Sequence, residues 1–70
     1  MRIEIHIKCD NAAFHEDDDT GDNSQAAGAE CNRILRYLGT TLASDGVCDG
    51  DIHSLYDVNG NKVGTAIVIG

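Results

Sequence analysis

The chain has 70 residues, 41% of them apolar, and a formal net charge of -7 from twelve acids against five cations. That length holds one domain near the lower limit for an unaided hydrophobic core, and the apolar fraction argues against wholesale disorder. The charge balance excludes a basic nucleic-acid-binding surface, and so small a body leaves no room for a buried substrate cleft.

Residues 2–8, Arg-Ile-Glu-Ile-His-Ile-Lys, alternate polar and apolar side chains. This period of two predicts a half-buried strand with Ile3, Ile5 and Ile7 on one side. Residues 10–22 lose the periodicity and carry six carboxylates with no lysine or arginine, Glu16, Asp17, Asp18 and Asp19 being consecutive. The segment reads as a long solvated loop whose first half is pinned to the core by Ala12, Ala13 and Phe14.

From about residue 23 to 44 the spacing becomes helical, with Ala27, Cys31, Ile34, Leu35, Leu38 and Leu42 forming an apolar stripe. Asp22 with Gln25 resembles a capping box, and Asp17–Asp19 lie upstream, where a helix dipole favours negative charge. Glu30, Arg33 and Arg36 fall on the outer face, and a Glu30–Arg33 pair there contributes only tenths of a kcal/mol. Gly28 and Gly39 each weaken the helix by ~1 kcal/mol relative to alanine, which points to close packing, with a kink or early end at Gly39. Asp45-Gly46 supplies the stop.

Residues from about 51 to 69 read as a hairpin around Asn59-Gly60, two residue types that tolerate positive φ. A two-residue turn pairs Tyr56 with Val63 and Ile52 with Ile67; a three-residue turn with a bulge sets Leu55 opposite Val63. Pattern leaves both registers open, and Gly64 hints at a bulge. The predicted fold is α+β, in the order β-α-β-β, with one helix on one face of a three-stranded sheet. The first strand is expected beside the last, after a right-handed helical crossover between parallel strands; the alternative places it beside the second.

Motifs for chemistry do not close. A calcium loop starting at Glu16 ends on Ala27, and one starting at Asp57 has Lys62 in place of the glycine and Val68 in place of the glutamate. Cys9, Cys31, Cys48, His6, His15 and His53 show no zinc spacing, and His6 and His53 read as surface histidines. The odd, widely spaced cysteines predict reduced thiols in an intracellular protein, and no stretch resembles a signal peptide or membrane span. No enzymatic activity, metal or cofactor is expected.

What the charge suits is imitation of nucleic acid. Phosphates lie roughly 7 Å apart along a duplex strand, a spacing that carboxylates on loops and helix ends approximate. The helix, about 33 Å long, would separate the 10–22 cluster from Asp45, Asp49 and Asp51 by about one turn of duplex. The plainer reading is an acidic surface kept for solubility.

The opening Ile3-Glu4-Ile5-His6-Ile7-Lys8-Cys9-Asp10-Asn11-Ala12-Ala13-Phe14 resembles small proteins encoded by bacteriophages and prophages. The central Arg33-Ile34-Leu35-Arg36-Tyr37-Leu38 and the ending Leu55-Tyr56-Asp57-Val58-Asn59-Gly60-Asn61-Lys62-Val63-Gly64 share that resemblance. The outline and acidic balance are similar to those of type I anti-CRISPR proteins, although the Glu16–Asp22 segment is denser in acids than in that group. The resemblance implies a stoichiometric inhibitor acting in the host bacterial cytoplasm, as a monomer or weak homodimer that binds no nucleic acid itself. Glu16, Asp17, Asp18, Asp19, Asp22, Asp45, Asp49 and Asp51 would occupy the basic DNA channel of a host CRISPR-Cas effector complex, subtype I-C being the narrower expectation. The alternative is a phage adaptor or assembly protein that binds through an uncovered apolar sheet face, with Leu55, Ala66 and Val68, or whichever residues the register exposes, as candidate contacts.

Overall fold

The computed structural model describes residues 1–15 and 24–70. Glu16, Asp17, Asp18, Asp19 and Asp22 lie outside the described residues, and with them the capping box and the calcium frame starting at Glu16. The elements run β1 (Arg2–Ile7), a 3-10 turn (Ala12–Phe14), α1 (Ser24–Asp45), β2 (Ile52–Tyr56) and β3 (Lys62–Ile69). The sheet order is β1-β3-β2 with both pairings antiparallel. The α+β class and the β-α-β-β order are those the sequence predicts. β1 and β2 therefore run parallel on either side of β3, and α1 makes the crossover between them.

Strand registers fix the two faces of the sheet. Ile3, Ile5 and Ile7 stand opposite Val68, Ala66 and Gly64, while His53 and Leu55 stand opposite Ala66 and Gly64. Leu55, Ala66 and Val68 on this face are buried, whereas Ile3 and Ile5, expected half-buried on the edge strand β1, stay 38% and 43% exposed. Phe14, Ile34, Leu38, Leu55, Val63 and Ala66 form the buried cluster, with Ile7, Ala13, Ala27, Cys31 and Leu42 packed around it. Phe14 is fully buried, so the 3-10 turn does pin the chain after β1 to the core. Leu35 is a correction to the predicted stripe: it is 42% exposed, because the stripe through Ile34, Leu38 and Leu42 already spends the buried arc of the helix.

Leu55, Ala66 and Val68, expected as contacts on an uncovered face, are core residues instead. The register puts Ile52, Tyr56, Ile67 and Ile69 on the uncovered face, beside Arg2, Glu4 and His6 of β1. Ile52 and Tyr56 are 67% and 52% exposed there.

The hairpin combines both registers left open by pattern. Gly60 N–H donates to the Asp57 carbonyl (3.0 Å) and Asp57 N–H to the Asn61 carbonyl (2.9 Å), so Val58, Asn59 and Gly60 form a three-residue loop. Gly60 takes φ +84°, whereas Asn59 has no positive φ, so the two-residue mirror-image turn is not formed. Tyr56 then pairs with Lys62, and the register shifts between Leu55 and Tyr56 so that Leu55 meets Gly64. Val63 is the extra residue of this bulge, and the shift turns its side chain into the core. Glycine at 64 follows from a close approach: a Cβ there would overlap the His6 carbonyl oxygen of β1.

α1 runs through Gly39 without a break, and a Cβ at Gly28 or Gly39 would meet nothing within 4 Å. The expected close packing and kink are therefore absent. The helix does stop at Asp45-Gly46, where Gly46 adopts φ +81°. With 22 residues in α1, or about 33 Å, the molecule extends 43 Å in its long direction against 19 and 18 Å in the others.

Candidate functional site

Asp45, Asp49 and Asp51 lie where α1 ends and the chain turns back into β2. Gly46 and Gly50, at φ +81° and +89°, make the two reversals. The loop between them is stitched to the end of β3: Gly50 N–H donates to the Val68 carbonyl and Val68 N–H to the Asp51 carbonyl, both 2.9 Å. Two of the carboxylates take part. Asp49 Oδ1 accepts from Gly70 N–H (2.7 Å), and Asp51 Oδ2 accepts from Cys48 N–H (3.0 Å). These bonds fix the orientation of both side chains.

Asp45 differs from both. It is exposed, and among the described residues its side chain enters no hydrogen bond or ion pair. As the last residue of α1 it faces the negative end of the helix dipole, where an acid costs about 0.3–1 kcal/mol. Nor is the cluster neutralised from within the described residues. Their ion pairs are Arg2–Glu4, Lys8–Asp10 and Arg33–Glu30, none of which involves Asp45, Asp49 or Asp51.

Two other acids have a different function. Glu30, placed by pattern on the outer face, is only 6% exposed. Arg33 grips it through Nε–Oε1 (2.6 Å) and Nη2–Oε2 (3.4 Å), and Val58 N–H donates to Oε2 (2.8 Å). Arg33 also donates to the Tyr56 carbonyl (2.9 Å). The pair thus fastens α1 to the end of β2, which is more than a surface ion pair does. The Arg33 hydrogen bond is the main cause holding the Glu30 carboxyl below its ordinary range; burial opposes it and the Val58 N–H reinforces it.

Asp57, the first position of the calcium frame that fails at Lys62 and Val68, is also buried. Its Oδ1 accepts from Asn59 and Asn61 N–H (both 2.9 Å), and its Oδ2 accepts from the Asn11 and Asn61 side chains (3.0 and 3.3 Å). Burial pushes its carboxyl up, but these donors outweigh burial and hold it below its ordinary range. The available signal was an aspartate two residues before Asn59-Gly60, the position from which an Asp side chain closes a turn.

Of the histidines, His6 is exposed as expected. His53 corrects the surface reading: it faces α1, half-buried, and its Nε2 is shielded with no partner among the described residues. Among the described residues no three His, Cys, Asp or Glu side chains converge on a metal-sized site. A groove between α1 and β2, lined by Arg33, Tyr37, Leu55 and Tyr56, holds about 220 Å³. No helix among the described residues is long and apolar enough to cross a membrane.

Fold and surface together define a small α+β domain with an acidic pole past the end of its helix and a partly apolar open sheet face. No family model, curated protein or solved structure matches the chain.

Proposed function

We propose that the protein is a non-enzymatic binding module that presents its carboxylates to a cationic, nucleic-acid-binding groove of another protein. In that role it acts as an acidic DNA mimic. The observation that carries this reading is Asp45, an uncompensated acid at the helix end that disfavours it, flanked by the oriented carboxylates of Asp49 and Asp51. A charge kept against helix stability is better explained by a partner than by folding.

The charge distribution supports the same reading. Seven of the twelve acids fall in the described residues, against all five cations, so five of the seven net negative charges belong to the stretch 16–22. In the sequence that stretch directly precedes α1, and the Asp45–Asp51 cluster follows it. Along the sequence the 22 residues of α1 lie between the two stretches, and a helix of that length spans about 33 Å, near the ~34 Å of one duplex turn. The narrower form of the proposal rests on the resemblance to phage-encoded type I anti-CRISPR proteins. In it the chain blocks target-DNA binding by a host CRISPR surveillance complex, subtype I-C in the narrowest form, within the bacterial cytoplasm.

The test is competition with target DNA. Wild-type protein should displace duplex DNA from a purified type I surveillance complex, with an affinity that falls steeply as salt rises. Replacing Asp17, Asp18 and Asp19 with Asn, together with Asp45→Asn, should abolish the competition while the circular dichroism spectrum is retained. Undiminished competition by this variant would reject the mimic.

A second reading is favoured by one observation, the exposure of Ile52 and Tyr56 on the uncovered sheet face beside Ile67 and Ile69. On that reading the chain is a phage adaptor or assembly protein with an apolar, salt-insensitive interface. Ile52→Ser with Tyr56→Ser would then abolish partner binding, and the Asp-to-Asn variant would leave it intact.

A further inference from the structure

Cys9 lies two residues past the end of β1, and Cys31 lies in the first half of α1. Their Sγ atoms are 3.8 Å apart, although the residues are 22 positions apart in sequence. This is thiol–thiol contact with no bond formed, since a disulfide has an S–S distance of about 2.0 Å. Cys9 is exposed, whereas Cys31 is half-buried against the core cluster. Cys9 also sits beyond Ile7, the last paired residue of β1, with its Sγ 4.0 Å from the Ile7 carbonyl oxygen. Cys48, exposed on the loop after α1, has no second thiol within hydrogen-bonding reach.

We propose that Cys9 and Cys31 are a redox pair, closing to an intramolecular disulfide under mild oxidation and fastening the end of β1 to α1. The oxidant class is a low-molecular-weight disulfide such as oxidised glutathione. The Cys9 thiolate attacks one glutathione sulfur, forming a mixed disulfide and releasing one glutathione thiolate. The Cys31 thiolate then attacks the Cys9 sulfur and releases the second glutathione. Two protein thiols lose two protons and two electrons, and one glutathione disulfide becomes two thiols. The roles follow from access: Cys9 meets the oxidant, and Cys31, sheltered by its burial, resolves the adduct. Burial pushes the Cys31 thiol up, and the neighbouring Cys9 and Glu30 add to this, so attack by Cys31 on free oxidant is suppressed in the same sense.

The test uses purified wild-type protein and the Cys48→Ser, Cys9→Ser and Cys31→Ser variants in glutathione buffers, read by intact mass and peptide mapping. Wild type and Cys48→Ser should lose two hydrogen atoms, yield one peptide pair linked through Cys9 and Cys31, and revert with dithiothreitol. Cys31→Ser should stall as a glutathione adduct on Cys9. The oxidised wild type should melt on the order of 10 °C above the reduced form. Wild type that stalls as the Cys9 adduct, or that links through Cys48, would overturn the assignment. An oxidised form that melts no higher than the reduced one would overturn the fastening.

Discussion

Glu30 and Asp57 show how little a residue's type says about its task in so acidic a chain. Each is taken from water and given several donors, and each ties together segments distant in sequence: Glu30 binds Arg33 and Val58, and Asp57 binds Asn11, Asn59 and Asn61. Glu30→Ala strands the Val58 N–H and releases Arg33, and should cost about 2 kcal/mol in urea unfolding. Both carboxyls titrate lower in the folded than in the unfolded chain. Their contribution is therefore complete above the ordinary values, 4.5 for Glu30 and 3.8 for Asp57, and is lost as pH falls below those values. The urea midpoint should accordingly fall on acidification from pH 5 toward about pH 3, and Glu30→Gln should flatten that decline. Asp57→Asn turns an amide NH₂ against the Asn11 and Asn61 donors, so it should lower the melting temperature at neutral pH as well.

The helix and the hairpin use glycine for opposite reasons. Gly28 and Gly39 stand over open space in α1, so their flexibility is a cost with no packing return. Gly28→Ala and Gly39→Ala should each raise stability by about 1 kcal/mol, measured by denaturant unfolding. Gly64 is the contrary case, because β1 crosses it too closely for any side chain. Gly64→Ala should cost about 2–3 kcal/mol, and amide exchange should show the loss concentrated in the β1–β3 pairing. The bulge beside it is an element-scale device: one extra residue turns Val63 inward and reconciles a three-residue loop with the register that buries Leu55.

Across the whole molecule, net charge and binding respond to salt with opposite signs. A net charge of -7 on 70 residues is self-repelling, and screening relieves that repulsion. The melting temperature should therefore rise between about 0.05 M and about 0.5 M NaCl, while competition for a basic groove weakens over the same range. Asp45→Asn joins the two responses. It should stabilise the chain by about 0.3–1 kcal/mol, because it removes an acid from the negative end of α1, and it should weaken the proposed binding. A gain in stability with unchanged competition would make Asp45 an ordinary surface acid.

Local periodicity was enough to place β1, α1 and the hairpin within a residue or two of their observed bounds, since strand alternation, the helical stripe and the glycine-marked reversals are short-range properties. It also placed Phe14 in the core and showed where acids outnumber cations. Tertiary structure alone decided which side of each element was covered. Leu35 was displaced from the core because the sheet covers a narrower arc of α1 than the stripe offered, and a single bulge selected Val63 for burial. Burial of Glu30 and Asp57 depended on donors from other segments, which no local pattern encodes. Leu55, Ala66 and Val68 went inward and Ile52 and Tyr56 outward because facing depends on register, and one residue of shift reverses it.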